Sequence, residues 1–416
     1  MEMLQTFWRG AMSQNASLVT IEDVDGLYYK TTLDFTSGTH FEVGQAYAQA
    51  IIDIKPTYGA IIDNFLLLSV ESAPDHPQLT TLVSQAKNLI ADMPQQYIQE
   101  LLGMTTVFNY PIDTLGDGIL SSNELLLFEV VHDVIDPGGC SATAVYADAS
   151  ATGATLVGRN LDWYDMPGVS QLHNVQLYDN TDVTYDIVGI GFLGQLFPVS
   201  AFSEKHISGA VLDSDMQQGY FTTEGATSYL ADMRYALEHC DTLDGVAYYL
   251  LNQQNTHSYI GFLADGNTAV VLENDLEHPE AKGLRHDDSL LRDGTIWDSP
   301  GTLVAVNSFM LPGTTDNFTG AASNEKRFAS YETLFESKLT ANNTLDMGDV
   351  QDIISYSGTD GSASGSGAIY RAMSDYPTYQ SYVLDMGSLA LTACFGPTSG
   401  NPPTPSYVQV FASSPF

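Results

Sequence analysis

The residues best suited to chemistry lie on one short stretch that begins at a cysteine. Cys140 follows two glycines and opens a run of alternating, β-prone residues, and a second run ends in Arg-Asn-Leu-Asp at 159–162. A Gly-containing turn at 151–153 separates the two runs. Period-two alternation broken by such a turn predicts a β-hairpin. We therefore expect Arg159 and Asp162 to return beside Cys140, which brings a thiol, a guanidinium and a carboxylate together.

Two interpretations of Cys140 follow from these residues alone. A lone cysteine is most often a buried small hydrophobe. A nucleophilic thiol is favoured by the glycine pair, which leaves the preceding peptide bond sterically open, and by the small polar neighbours Ser141 and Thr143. Arg159 is also placed to lower the pKa of the thiol. No histidine is spaced for a papain-like pair with the cysteine, so that arrangement is not supported.

The segment before Cys140 is predicted to be mostly helical and the segment after it mostly strand. Short strands are predicted at 18–21 and 27–29, and a long helical pattern from Glu42 to Leu68 is interrupted by a proline and a glycine. Further helices are predicted at 78–93, 94–102, 124–135, 224–238, 243–253, 323–338 and 346–355. The hairpin at 140–163 is followed by further strand segments predicted at 173–193, 196–213, 258–264, 268–273, 303–309, 379–385, 389–395 and 407–411. Strand blocks separated by helix pairs predict an α+β fold with two sheets and helices on their outer faces.

The charge of the chain excludes some classes of partner. The sequence carries 14 basic and 51 acidic residues, which gives a formal net charge of −37. Such a protein repels nucleic acids and anionic membranes, so neither is expected as a partner. No run of about 18 apolar residues is present, and no membrane span is predicted. The acidity is typical of a solvated surface and says little about chemistry.

The cysteine count bears on redox state and metals. Cys140, Cys240 and Cys394 are spread too widely for a disulfide framework or a zinc site. At most one bridge, between Cys240 and Cys394, would leave Cys140 free. Neither a metal nor a cofactor is expected. The first residues lack the basic and apolar regions of a signal peptide, and a secreted or periplasmic location is favoured over a cytoplasmic one.

Several segments, in order along the chain, resemble those of one enzyme superfamily. Gly-Cys-Ser-Ala at 139–142 with Gly-Arg-Asn-Leu-Asp-Trp at 158–163 resembles the start of the mature chain in cysteine N-terminal-nucleophile hydrolases. That superfamily includes choloylglycine (bile-salt) hydrolases, penicillin V acylases, acid ceramidase and isopenicillin-N acyltransferase. Similar segments lie at 37–44, 204–213, 306–308, 323–328 and 382–385.

The resemblance implies a fold and a division of the chain. Residues 140–416 would form the catalytic domain, a four-layer αββα sandwich. Residues 1–139 would be a helical N-terminal segment, either a propeptide or a separate α chain. In the superfamily the protein itself cuts the peptide bond before the cysteine, here between Gly139 and Cys140. The two cleaved chains would then form a heterodimer, and a homo-oligomer is left open.

The resemblance also implies roles for individual residues. Cys140 would be the nucleophile, and its own freed α-amino group would be the base, held in place by Asp162. Arg159 would lie beside the thiol, Asn307 would donate to the oxyanion, and Arg327 would organise the site through charge-assisted hydrogen bonds. An α-amine titrates near pH 8, so it is suited to take the thiol proton near neutrality.

Simpler interpretations exist for most of these residues. Asn307 is also typical of a strand end, Arg327 of a helix surface, and Asp162 of a turn cap. Asp213 departs from the superfamily pattern, because many relatives have an oxyanion-stabilising asparagine at that strand end. A carboxylate there would repel an oxyanion unless it is protonated. Asp213 is therefore neutral, faces elsewhere, or contacts another group of the substrate.

The predicted activity is hydrolysis of a linear, small-molecule N-acyl amide through a thioester on Cys140. Transfer of the acyl group to an amine acceptor is a second hypothesis. A degenerate enzyme or arrested precursor is a third, with Asp213 as its warning sign. The long segment before the cysteine favours the acyltransferase and acid-ceramidase side of the superfamily.

Overall fold

The computed structural model describes residues 18–73, 76–135, 139–164, 166–181, 184–214, 221–314, 322–358, 367–371, 377–396 and 404–416. The helices in these ranges are α1 (His40–Ile54), α2 (Tyr58–Ser72), α3 (Leu79–Ala91), α4 (Gln95–Thr105), α5 (Ser122–Glu129), α6 (Val131–Val134), α7 (Tyr229–His239), α8 (Leu243–Leu251), α9 (Ala322–Asn342) and α10 (Met347–Ile354). The single helical pattern predicted at 42–68 is two helices, because Pro56 and its neighbours interrupt it.

The strands in the described ranges form two sheets. They are β1 (Val19–Val24), β2 (Tyr28–Asp34), β3 (Cys140–Val145), β4 (Leu156–Asp162), β5 (His173–Asp179), β6 (Ile187–Phe192), β7 (Ser200–Ser203), β8 (Ile207–Asp213), β9 (Tyr259–Asp265), β10 (Ala269–Asn274), β11 (Gly283–Arg285), β12 (Thr302–Ala305), β13 (Thr378–Asp385), β14 (Ala390–Phe395) and β15 (Val408–Phe411). One sheet is nine-stranded, in the order β1-β2-β5-β6-β7-β8-β9-β10-β11. The other is six-stranded, in the order β12-β3-β4-β13-β14-β15. The predicted α+β class with two sheets is confirmed.

The first two strands belong to the large sheet rather than to a separate unit. β1 and β2 pair antiparallel, and β2 pairs parallel to β5, with Tyr29 opposite Asn174. Residues 18–135 are therefore helical with a two-stranded contribution to the sheet that the second half of the chain completes. The proposed division at residue 140 stays a prediction.

Helices contact each sheet, and the two sheets contact each other. α7 and α8 pack on β7 to β10, α10 packs on β4 and β13, and β3 contacts β8 across the sheets. The six-stranded sheet and helices α9 and α10 share a separate apolar core that includes Val304, Tyr331, Phe335, Ile353 and Val383.

The N-terminal helices pack closely because glycines allow it. α1 and α4 meet where a Cβ at Gly44 would lie 2.0 Å from the carbonyl oxygen of Glu100. A Cβ at Gly103 would lie 2.1 Å from the carbonyl oxygen of Phe41. No L side chain fits at either distance, so glycine permits this helix contact.

The register of the small sheet decides what surrounds Cys140. β3 lies between β12 and β4 and is antiparallel to both, with Ala142 opposite Ala305 and Cys140 opposite Leu161. Antiparallel strands place the start of one beside the end of the next. The residues that follow Ala305 and Leu161 therefore converge on the first residue of β3.

Candidate active site

The predicted hairpin is present and brings its chemical groups together. Cys140 is the first residue of β3, and the Arg159 guanidinium on β4 donates from Nη2 to the Cys140 Sγ at 3.5 Å. The same nitrogen donates to the Val211 carbonyl at 2.6 Å. Beyond the strand pair, the Asp162 N–H donates to the Gly139 carbonyl at 2.9 Å. The expected proximity of Arg159 and Asp162 to Cys140 is confirmed.

The thiol of Cys140 is buried, with 6% of the residue exposed. Burial is the largest influence on its pKa and raises it above the ordinary value, because a thiolate is poorly solvated there. The Arg159 charge lowers the pKa, as expected from the sequence, but by less than burial raises it. The thiol is thus protonated at neutral pH and needs a base before it can attack a carbonyl.

Two distant side chains hold the backbone of Cys140. The Cys140 N–H donates to Asn307 Oδ1 at 2.7 Å, and Arg327 Nη1 donates to the Cys140 carbonyl at 2.8 Å. Arg327 Nη2 also donates to Asn307 Oδ1 at 2.8 Å. One asparagine oxygen thus joins the cysteine backbone to the guanidinium. Burial and, to a lesser extent, the nearby Arg371 charge lower the Arg327 pKa to about 10.

Asp162 is fully buried near the cysteine, and one of its two carboxylate oxygens accepts a hydrogen bond. Thr378 Oγ1 donates to Asp162 Oδ1 at 2.6 Å. Asp162 Oδ2 lies 3.6 Å from both Arg327 Nη1 and Arg371 Nε, and it has no hydrogen-bond partner among the described residues. Burial raises the Asp162 pKa, and the charges of Arg371 and Arg327 oppose that rise. The Cys140 N–H bonds to Asn307 rather than to Asp162.

Asp213 lies at the end of β8, and its backbone carbonyl contacts a residue of the cluster around Cys140. Its carbonyl accepts a hydrogen bond from Asn307 Nδ2 at 2.8 Å, and its Oδ1 accepts one from the Ser214 N–H at 2.8 Å. The residue also lines the cavity beside the cysteine. Its backbone therefore orients Asn307, which is a role that the sequence comparison did not suggest.

A cavity of about 30 Å³ opens beside the thiol. Its wall is mostly apolar, with a few polar groups, and consists of His132, Cys140, Arg159, Leu161, Asp162, Trp163, Val199, Val211, Asp213, Tyr229 and Leu230. A space of this volume holds little more than one or two water-sized groups. Cys140 therefore lies on the wall of a small, largely apolar chamber.

The residue before the cysteine is closely packed. A Cβ at Gly139 would lie 3.2 Å from Arg371 Nη1 and 3.6 Å from Asn307 Oδ1. These distances leave little room for a side chain, so the glycine suits the crowded approach to the Gly139–Cys140 bond. Gly138 lies outside the described residues.

Sequence reasoning missed four residues of this cluster. Arg371, Thr378 and His132 come from segments that only the folded chain brings near Cys140. Asn324, whose Oδ1 accepts from Arg327 Nη2 at 2.6 Å, lies three residues before that arginine on α9. Its helical spacing was a usable signal, because residues three apart share a helix face.

The described residues contain no group of three or more His, Cys, Asp or Glu side chains arranged to hold a metal ion. Among the helices that the structure describes, none is long and apolar enough to cross a membrane. All three cysteines are free thiols, so the bridge between Cys240 and Cys394 that the sequence left open is not formed.

No protein-family model and no curated protein matches this sequence. Among solved structures, the chain is similar to an N-acylethanolamine-hydrolyzing acid amidase ortholog from Caenorhabditis elegans. The match has 14% identity and a TM-score of 0.39, and it covers 60% of this chain and 93% of that one. A variant of a conjugated bile acid hydrolase from Clostridium perfringens matches with 12% identity, a TM-score of 0.39, and 66% and 98% coverage.

Penicillin V acylase from Agrobacterium tumefaciens matches with 10% identity, a TM-score of 0.36, and coverage of 66% of this chain and 86% of that one. Bile acid hydrolase and penicillin V acylase are two of the enzyme types that the sequence motifs resemble.

Proposed function

We propose that this protein is an amidohydrolase that cleaves a linear N-acyl amide through a thioester on Cys140. The observation that carries the proposal is the surroundings of this one residue. Its backbone N–H is bonded to Asn307, its carbonyl to Arg327, and its thiol to Arg159, beside a mostly apolar cavity. A cysteine that served only as a core side chain would not need three polar groups directed at it.

The first step in this proposal is cleavage of the chain by the same cysteine. The sulfur attacks the carbonyl carbon of Gly139, the C–N bond breaks, and the thiol proton passes to the Cys140 nitrogen. Water then hydrolyses the resulting thioester to a Gly139 carboxylate and a free thiol. The Asp162 N–H, 2.9 Å from the Gly139 oxygen, supports this step, because it lies where negative charge develops.

Cleavage supplies the base that the thiol lacks. The freed α-amine of Cys140 has an ordinary pKa near 8 and takes the proton from the sulfur of the same residue. Asn307 Oδ1, which accepts from this nitrogen in the uncut chain, is in place to accept from the amine as well. Asp162 Oδ2, buried and without a hydrogen-bond partner among the described residues, would accept a second amine proton and favour its charged form.

Catalysis then proceeds in two halves. The thiolate attacks the substrate carbonyl carbon, and Asn307 Nδ2 donates its second N–H to the oxyanion while its first remains on the Asp213 carbonyl. The C–N bond breaks, the leaving amine takes the proton from the α-ammonium, and the acyl group stays on sulfur. A water attacks this thioester, gives a proton to the α-amine, and releases the acid and the thiol.

The test is an assay of purified protein on N-acyl amides of varied chain length and head group. We expect the wild type to release the acid and the amine, and Cys140→Ala to release neither. A Cys140→Ala variant that retains activity would show that the nucleophile is elsewhere. The same assay with an added primary amine separates hydrolysis from transfer, because transfer yields a new amide in place of the acid.

A further inference from the structure

His132 is a polar side chain in the cavity that the proposed mechanism does not use. It lies on the short helix α6, is 5% exposed, and lines the same 30 Å³ cavity as Cys140 and Arg159. Its Nε2 is buried and has no hydrogen-bond partner in the described parts of the chain. Buried polar atoms are nearly always paired, so an unpaired one beside a cavity calls for a partner there, either a water or an oxygen of a ligand.

The position of His132 is fixed by contacts on both sides. The Tyr229 hydroxyl donates to the His132 carbonyl at 2.8 Å, and the imidazole packs on the Trp163 ring with centroids 4.3 Å apart. The next residue, Asp133, accepts hydrogen bonds from Ser228 Oγ at 2.7 Å and from the Tyr229 N–H at 3.1 Å. These contacts fix α6 to the start of α7, so the imidazole is held in place before any ligand arrives.

The imidazole is neutral across the physiological range. Burial, with smaller contributions from the charges of Arg159 and His257, lowers the His132 pKa to about 3. A neutral imidazole offers one N–H or one lone pair at Nε2, and it offers no charge. A hydroxyl or carbonyl oxygen suits such a group, whereas a carboxylate would gain no ion pair from it.

We propose that His132 binds an oxygen substituent of the substrate acyl group close to the scissile carbonyl. This inference rests on the proposed amidohydrolase function. The same wall carries the charged residues Arg159, Asp162 and Asp213 on the side of the cysteine, and apolar side chains, including those of Leu161, Val199 and Leu230, that suit hydrocarbon. We place this oxygen on the second or third carbon of the acyl group, because His132 and Cys140 line the same small cavity. The preferred substrates are then N-acyl amides with a hydroxyl or keto group at one of those carbons.

The test compares matched pairs of N-acyl amides that differ only in a hydroxyl on the second or third acyl carbon. We expect the wild type to favour one hydroxylated member roughly ten- to hundred-fold in kcat/KM, because the unsubstituted analogue leaves Nε2 unpaired. His132→Phe keeps an aromatic ring and removes both ring nitrogens, so the ratio of kcat/KM between the hydroxylated and the plain substrate should fall to near one. His132→Gln restores a donor and an acceptor, so part of the preference should return.

His173→Phe is the matched control. His173 is a second buried, neutral histidine, packed on Phe192 and outside the cavity wall. Its loss should leave the preference unchanged.

A wild type that cleaves plain and hydroxylated amides equally well overturns the inference about His132 and leaves the proposed function standing. An unchanged preference in His132→Phe does the same, since a water-binding or purely structural histidine would alter all substrates alike. A wild type that cleaves no amide, with Cys140 never acylated, overturns the proposed function and this inference together. The wild-type ratio decides the matter even if a variant fails to fold.

Discussion

Two buried arginine clusters in this protein differ in how completely their polar atoms are paired. Arg234 on α7 donates from Nε to Glu238 at 2.8 Å and from Nη1 and Nη2 to Glu100 at 2.6 and 3.0 Å. Its guanidinium also lies 4.3 Å from the centre of the Tyr97 ring and 4.5 Å from that of Tyr178. The cluster joins α4, α7 and the large sheet, and each nitrogen of Arg234 has a partner.

The cluster at Cys140 is equally buried and incompletely paired. Arg159 Nε, Arg327 Nε, Asp162 Oδ2 and His132 Nε2 have no hydrogen-bond partner among the described residues. A buried polar atom in that state costs about 1–3 kcal/mol. Several unpaired polar atoms in one place are typical of a preorganised site, where they can bind a ligand or stabilise charge that develops on a reacting atom. If the proposed function is right, the contrast separates a cluster that stabilises the fold from one that takes part in catalysis.

The largest effect expected from this contrast is loss of activity without loss of stability in Cys140→Ala. Activity should fall about 10⁴-fold or more, because the atom that forms the covalent bond is gone. The free energy of unfolding should change by less than about 1 kcal/mol. Amide hydrolysis and urea unfolding measure the two quantities. A large fall in stability with residual activity would reverse the assignment of the two clusters.

Arg234→Met should show the opposite pattern. Removing the guanidinium leaves Glu100 and Glu238 buried without their cation, and the free energy of unfolding should fall by about 3–5 kcal/mol. Lys338→Met is the matched control, since Lys338 also binds two carboxylates, Asp349 and Asp352, but at the surface. In the control, the free energy of unfolding should fall by no more than about 1 kcal/mol. Equal losses would show that burial is not what distinguishes the Arg234 cluster.

Asn307→Ala tests the oxyanion role within the Cys140 cluster. Loss of one preorganised donor should lower kcat by about 10²–10³-fold, or about 3–4 kcal/mol in the barrier. Asn160 provides the control, because it is an equally buried asparagine that donates to the carbonyls of Ile354 and Ile369. Asn160→Ala should lower stability and leave kcat within a few-fold. Comparable kcat losses in both variants would remove Asn307 from the mechanism.

A smaller effect is a pH dependence of stability near the Arg234 cluster. Burial raises the Glu129 pKa to about 8, and the charge of Glu100 contributes. The folded state therefore keeps a proton that the unfolded state releases near its ordinary pKa. Stability from this group is complete below about pH 4.3 and is lost as pH rises toward 8.

Glu129→Gln mimics the protonated acid and should flatten that dependence by up to about 1.4 kcal/mol per pH unit. Denaturant unfolding of the wild type and the variant at several pH values between 5 and 8 gives, for each protein, the slope of the free energy of unfolding against pH. Identical slopes would show that Glu129 titrates normally in the folded chain.

Sequence patterns predicted what is local. The hairpin of β3 and β4 was predictable because period-two alternation and one turn set its register, and the register alone puts Arg159 and Asp162 beside Cys140. The strand predicted at 196–213 is two strands, β7 and β8. The chain turns between them at His206, which has a φ of +56° that the apolar pattern did not signal.

Pairing between distant segments was not predictable in the same way. The parallel contact of β2 with β5, and the approach of Arg371 and Thr378 to Asp162, depend on how the whole chain folds. The net shift of the Cys140 thiol pKa was also not predictable from the sequence, because burial and the Arg159 charge act on it in opposite directions. Spacing shows that Arg159 lies near the sulfur, whereas only the burial of Cys140 shows that its pKa is raised overall.

The most direct test of the account is the mass and N-terminal sequence of the purified wild-type protein. The account predicts that the 45.1 kDa chain separates into two fragments, one of which begins at Cys140 with a free α-amine, and that Cys140→Ala stays whole. A wild type that hydrolyses amides as a persistently uncut chain, or a Cys140→Ala chain that still divides after Gly139, would contradict it.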